Sequence, residues 1–455
     1  MNGIAKNRTS AQTPGVFPLF FKYVSANVLG MIGYSCYILA DTFFIARGIG
    51  ADALAALNLA IPAYNLMNGT GLMIGMGAAA RWALSSAQPQ KDTHRTIFTQ
   101  ALYLAAAAAV IFFTAGLLFA PDIAFLLGAD NVTLPYAAPY LRVLLLFAPL
   151  FLSNNVVLCF VRNDGAPGLA MAGMISGSLS NIVLDYVFIY PLGMGMAGAA
   201  IATGIAPVIS LIVLSTHFIR KQNHFHPVKT RPSITRAADI CSLGVSSLIA
   251  EVSSGIVIII FNFLILDLNG NMGVAAYGIL ANIALVLTAV FTGIAQGIQP
   301  IVSRYSGSEG ATVRRSTKRY ALCTALLLSL AAYVAIVVFA VPIADLFNRD
   351  HDPALSAMAA DGMRIYFISL FFTGINVIAA AFLSSADRPK QAFVISALRG
   401  FLLIIPAAWL LSRLFGLTGV WLALPVTEAI VCMISAIFLI KDVTAPAEPP
   451  IDMEQ

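Results

Sequence analysis

The chain has 455 residues, 59% of them hydrophobic and only 10% charged, with a mean hydropathy of +0.86. A soluble domain carries about 25% charged residues, so this composition excludes the soluble classes and defines a polytopic membrane protein. The net charge of +5 points to no nucleic-acid partner, because the basic residues are spread along the chain in the pattern of membrane topology.

Residues 1–18 are polar and read as a cytoplasmic tail. The apolar run that begins near Phe17 contains no small-residue cleavage site, so no removable signal peptide is expected. A spanning helix needs about 20 apolar residues. Twelve such runs follow in order: 19–45, 54–82, 96–119, 137–161, 168–190, 196–219, 238–266, 274–303, 318–341, 361–385, 390–412 and 418–440. The fold class is therefore an all-α membrane protein with twelve transmembrane helices in two pseudo-symmetric six-helix lobes. The N-lobe covers 19–219. The longest polar connection, "RKQNHFHPVKTRPSITRAAD", supplies a cytoplasmic linker at 220–237. The C-lobe covers 238–441 and a cytoplasmic tail covers 442–455.

Lys and Arg set the orientation. With the N-terminus inside, 20 of the 26 fall in the tails and the loops after even-numbered spans. Five (Arg47, Arg142, Arg349, Arg364 and Arg413) fall outside, and Arg399 lies within span 11. That bias places both termini in the cytoplasm.

The two halves repeat. Arg142 aligns with Arg364, Asn154 with Asn376, Phe160 with Phe382 and Pro167 with Pro389, each at an offset of 222. Six spans per copy make the repeats parallel, related by an axis along the membrane normal. Such repeats place a substrate site between the halves near the midplane. Asn154, Asn376, Gln296 and Gln299 are the candidate residues for that cleft.

Acids inside apolar runs are costly in a bilayer and mark function. Asp41 and Asp185 lie at similar depth in spans 1 and 5. Asn181 shares a helix face with Asp185, and Tyr37 with Asp41. Thr203 of span 6 is at the same level. These oxygens suit a proton relay or a small cation, which makes Asp41, Asn181, Asp185, Thr203 and Tyr37 the candidate cation site. A polar knot that fixes helix packing is the structural alternative. The second half holds a different set: Glu251, Arg399 and Glu428. Glu428 is expected to pair with Arg399, which leaves Glu251 without an evident partner.

Five dispersed cysteines make no disulfide framework. His224 and His226 read as part of a solvated basic loop. No nucleotide-binding loop, HExxH or GxSxG motif is present, so no enzyme activity and no cofactor are expected, and the energy source is an ion or substrate gradient.

The stretches "ADTFFIARGIGADALAALNLAIP" (40–62) and "GIAQGIQPIVSRYSG" (293–307) resemble the corresponding segments of MATE multidrug exporters, and the 6+6 layout agrees. The resemblance implies efflux of cationic amphipathic compounds in exchange for protons or sodium ions by alternating access. Residue by residue, it matches the family's first-half cation site to Asp41, Asn181, Asp185 and Thr203, where sodium would also sit. Glu251 resembles the span-7 acid of another branch, but span 10 here offers Asn376 in place of that branch's Asp. The proton is the favoured coupling ion. A monomer in the bacterial cytoplasmic membrane, handling cationic drugs, is the expected working form. A lipid-linked sugar flippase of the same superfamily is the alternative. It is disfavoured because Arg399 is the only basic residue placed deep in a span.

Overall fold

The computed structural model describes residues 15–86, 91–306, 310–348 and 352–444. The tail residues 1–14 and 445–455, together with Arg349, lie outside the described residues. The described chain is almost entirely helical. In hydrocarbon, the backbone of an isolated segment can satisfy its own N–H and C=O groups only as a helix.

Six helices build the first half. They are α1 (Val16–Gly48), α2 (Ala51–Ser86), α3 (Lys91–Leu126), α4 (Leu134–Leu146 with Ala148–Asn163), α5 (Pro167–Ile189) and α6 (Gly195–Ile219). The second half begins with one continuous stretch, Ile234–Arg304, interrupted by non-helical Gly270 at φ 60°. The rings of Phe261 and Tyr277 are 5.5 Å apart across that glycine. Sixteen residues of straight helix would separate them by about 24 Å. The chain therefore doubles back at Gly270, giving α7 (234–269) and α8 (271–304). Next come α9 (Ala311–Phe347) and α10 (Pro353–Tyr366, a 3-10 turn at Phe367–Ser369, then Leu370–Ser385). A second glycine with positive φ, Gly416, divides α11 (389–415) from α12 (417–444). The backbone of Leu411 lies against Gly419, so the chain turns back there too. Left-handed backbone of this kind favours glycine.

Twelve crossings result, in register with the twelve apolar runs. Helix ends overshoot those runs because apolarity stops before the helix does. Span 2 is less apolar than the rest, since α2 carries Asn58, Asn65, Asn68 and Thr70.

The repeat is visible in the backbone. Helix α4 bends by 49° where Leu134–Leu146 meets Ala148–Asn163, at Phe147. Helix α10 breaks into its 3-10 turn at Phe367–Ser369, and Ser369 stands 222 positions after Phe147. Pro167 opens α5 and Pro389 opens α11 at the same offset. Ahead of α4, Asp130 accepts the Val132 and Thr133 N–H groups at 3.0 and 2.9 Å. The Thr133 N–H and hydroxyl hold its carboxyl below the usual range.

Two hydrophobic cores form, one for each half. The first runs from Ile45 to Ile240; the second runs from Phe261 to Leu439 and takes in Phe20, Tyr23 and Val24 of α1. The lobes meet along α1–α8 and α2–α7 at the end of the bundle that carries the linker. A Cβ on Gly297 would come within 2.7 Å of the Val24 Cα, and one on Gly244 would run into the Met73 carbonyl.

The linker is fastened to the first lobe. Phe225 is buried, with ring centroids 4.8 Å from Phe98 and 5.1 Å from Phe160. Asp164 accepts from His217 Nε2 at 2.9 Å and pairs with His224 Nδ1 at 2.7 Å. The expectation of a solvated basic loop is therefore revised in part: the His224 side chain is exposed, but Phe225 beside it is buried and anchors the segment. Phe225→Ala should lower the stability of the detergent-solubilised protein by about 3 kcal/mol, the usual cost of deleting a buried ring, as read by a thermal unfolding assay. An unchanged midpoint would mean that the anchor contributes nothing.

Candidate functional site

The acids of the first lobe come together through four helices. Asp41 lies late in α1 and Asp185 late in α5, and the two carboxylates are within hydrogen-bonding reach of each other. Asp185 and Asn181 are fully buried, and Asp41 is 7% exposed. The i, i+4 spacing puts Asn181 and Asp185 on one face of α5. With its amide NH2 turned toward the acid, Asn181 donates to Asp185 Oδ2 at 3.1 Å and accepts the Thr203 N–H at 3.2 Å. The opposite orientation leaves Asn181 Nδ2 on the Thr203 hydroxyl at 3.3 Å. We favour the first, because it gives a buried carboxylate a donor that the second withholds.

Tyr140 of α4 completes the cluster. It is buried, with its hydroxyl in hydrogen-bonding reach of Thr203 and within electrostatic range of both acids. A lone tyrosine in an apolar helix carries no sequence pattern that marks it as functional. The α4 bend holds it there. The Phe147 ring occupies the space that a side chain at Gly204 would need, next to Thr203. One oxygen of each acid, Oδ1 of Asp41 and Oδ1 of Asp185, has no hydrogen-bond donor. Among the described residues, no Lys, Arg or His forms an ion pair with either acid.

Tyr37, assigned to this cluster from its spacing, turns elsewhere. Its hydroxyl is 3.0 Å from the Tyr64 hydroxyl, which is 2.8 Å from that of Tyr34. Beyond this string, Asn68 Oδ1 accepts from Asn155 Nδ2 at 3.0 Å.

The second lobe is arranged differently. Arg399 donates to Glu428 Oε1 from Nη2 at 2.7 Å and from Nε at 3.2 Å. Asn376 donates to Glu428 Oε2 at 2.6 Å and accepts from the Ser435 hydroxyl at 2.8 Å. The expected trio of Glu251, Arg399 and Glu428 does not form one cluster. Glu251 lies across the lobe boundary, against Gly69 and within reach of Asn68 on α2.

Nor are the four candidate cleft residues brought together. Asn376 serves the Arg399–Glu428 cluster. Gln296 accepts from Arg162, and Gln299 from Asn163, in the packed linker-end interface. Asn154 is half-buried, with a carbonyl oxygen that has no partner. Arg162, grouped with loop residues by its position after an apolar run, is instead fully buried, because α4 continues to Asn163 and the opposite lobe covers its end.

The comparisons agree with this architecture. The MatE family model matches residues 27–187 and 247–410, and the chain belongs to that family. Among named relatives, the multidrug export protein MepA of Staphylococcus saprophyticus subsp. saprophyticus is 25% identical over 430 residues, 91% of this chain and 92% of its own. MepA of a Staphylococcus aureus strain is 24% identical over 434 residues, 94% of each chain. An outward-facing multidrug resistance MATE family transporter of the MOP superfamily superposes with a TM-score of 0.87 at 23% identity, covering 97% of this chain and 99% of its own. A MOP superfamily transporter from Pyrococcus furiosus, whose binding pocket is described as having reverse polarity, superposes at 0.84 with 24% identity over 95% and 98% of the chains. These likenesses establish the twelve-helix, two-lobe fold.

The Arg399–Glu428 contact generates a direct test. Arg399→Ala strands a buried carboxylate and should cost about 3 kcal/mol. Adding Glu428→Gln should recover part of that loss. In a double-mutant cycle by thermal unfolding, we expect a coupling of about 1 kcal/mol or more; strict additivity would show that the pair does not act as a unit.

Proposed function

We propose that this protein is a secondary active multidrug exporter that moves cationic amphipathic compounds outward in exchange for protons, by alternating access. The observation that carries the reading is the Asp41–Asp185 pair: two buried carboxylates within hydrogen-bonding reach of each other, with an orphan oxygen on each and, among the described residues, no basic ion-pair partner. Like charges this close, out of water, do not both stay ionised unless a cation lies between them. The pair therefore holds a proton or a metal cation, and it can release one when an organic cation supplies the compensating charge. Asn181, Thr203 and Tyr140 steady the two acids through these exchanges. The relatives' role in multidrug export supports the substrate class.

The orientation that fits is cytoplasmic for both termini and for the linker, with 20 of 26 basic residues on that side. The host membrane is then the bacterial cytoplasmic membrane, and one chain holds a complete acid site, so a monomer suffices. The chain contributes binding and conformational change, not bond chemistry, which is the reading of a non-enzyme. Sodium is the competing ion, since carboxylates, an amide oxygen and a hydroxyl are also ligands for hard cations.

Two measurements follow. Asp41→Asn and Asp185→Asn should each abolish drug resistance in an efflux-deficient host while leaving membrane expression intact. Normal resistance in both, at equal expression, would sink the assignment. In proteoliposomes loaded with a fluorescent organic cation, export should follow an imposed pH gradient. Export driven by a sodium gradient and indifferent to pH would turn the same residues into a sodium site.

A further inference from the structure

At the linker end, the lobes meet through two arginines held in opposite ways. Arg81 of α2 donates to Asp239 of α7 at 2.6 Å and to Asp387, in the turn between α10 and α11, at 3.1 Å. Both carboxylates belong to the opposite lobe. Arg162 lies in the last turn of α4 in the first lobe and is 0% exposed. Its Nη1 donates to Asn27 Oδ1 at 2.9 Å and to Gln296 Oε1 of α8 at 2.5 Å. Its Nη2 faces two sulfurs, Met76 Sδ at 2.9 Å and Cys159 Sγ at 3.3 Å. Its Nε has no acceptor. Among the described residues, no carboxylate forms an ion pair with it. Beside it, Asn163 donates to Gln299 Oε1 of α8 at 2.9 Å, across the same interface.

A guanidinium stays charged in a protein. Removing it from water is strongly unfavourable unless an opposite charge meets it. Amide oxygens repay only part of that cost, and thioether and thiol sulfurs are weak acceptors. Gln296 comes from the opposite lobe, so the burial of Arg162 is completed only as the lobes close. Closure therefore buries a charge that meets no counter-charge among the described residues. Arg81 has the opposite effect, because closure gives it two carboxylates at a half-exposed rim where desolvation is small.

We propose that the linker-end closure is a balanced latch. Arg81, with Asp239 and Asp387, holds the lobes together, while the uncompensated charge of Arg162 drives them apart. This inference rests on the alternating-access reading above. An exchanger must keep its two states close in free energy, because a ligand shifts an equilibrium only by its differential affinity for the two. A latch made of ion pairs alone would tilt the balance toward closure. The buried guanidinium offsets that tilt.

The test uses a buried thiol as a probe of opening. Ser303 is fully buried on α8, four residues after Gln299 and seven after Gln296, and so lies on the same helix face. Ser303→Cys is placed in the full-length chain with Cys159 changed to Ala, so that no stronger acceptor meets Arg162, and the other four native cysteines changed to Ser, and maleimide labelling is timed in native membranes. Arg162→Met keeps the bulk and removes the charge. It should slow labelling about tenfold and raise the unfolding midpoint in detergent. Arg162→Gln serves the same purpose if the Met variant fails to accumulate. Arg162→Lys keeps the charge and should label at least as fast as the parent. Arg81→Gln should speed labelling about tenfold. An unchanged or faster rate in the uncharged Arg162 variants, or a slower one in Arg81→Gln, overturns the proposal. If the probe reacts after denaturation but in no folded variant, the alternating-access reading fails and takes the proposal with it.

Discussion

Charge in hydrocarbon is the constraint on which the rest of this structure depends. A carboxylate in a span must be kept from lipid and must find something positive, or a proton, to neutralise it. The chain meets that demand in two ways. In the second lobe, Glu428 is closed off by Arg399, Asn376 and Ser435, and its charge is spoken for. In the first lobe, Asp41 and Asp185 are given an amide, a hydroxyl and a phenol but, among the described residues, no basic ion-pair partner. On the exchange reading proposed above, their charge is left for a mobile ion. The same backbone repeat thus carries a finished structural pair in one half and an unfinished site in the other.

That difference explains why the repeat is easier to see than the chemistry. The offset of 222 returns as matching helix starts at Pro167 and Pro389 and as matching breaks in α4 and α10. Asn154 and Asn376 also obey it, yet only Asn376 has a charged partner. A repeat preserves where helices begin and bend, because those follow from local backbone chemistry. It does not preserve which side chains meet, since that depends on neighbours contributed by distant helices.

The same division separates what was legible in the sequence from what was not. The twelve crossings could be read from apolar length alone, including the two hairpins at Gly270 and Gly416, where the helical pattern runs almost unbroken. Asp41, Asn181, Asp185 and Thr203 could be grouped because depth in a span follows from counting along each helix. Tyr37 was misplaced, since a shared helix face does not fix where a hydroxyl points. Tyr140, Asn27 and Arg162 were invisible for a related reason. Each is defined by contacts across helices, and Arg162 sits just past an apolar run, where a loop would be expected. Gln296 and Gln299 are expected from the sequence to line a substrate cleft but accept from Arg162 and Asn163 in the packed interface, partners in the opposite lobe that cannot be read from α8 itself.

Helix α4 links the two regions of interest. Its first arm carries Tyr140 to the acid pair, and its second ends at Arg162 in the lobe interface. The bend between the arms is held by Phe147 packed against Gly204, next to Thr203. Helix α1 makes a parallel connection, with Asp41 toward one end and Asn27 and Val24 packed on the opposite lobe toward the other. Thr203 neighbours the Gly204–Phe147 contact at the α4 bend, and Tyr140 lies about two turns before that bend. Cores packed as densely as these two do not absorb a local shift by gradual compression. On the exchange reading proposed above, a shift at the acid pair would therefore travel along whole helices, and α1 and α4 already touch both the acid pair and the linker-end interface.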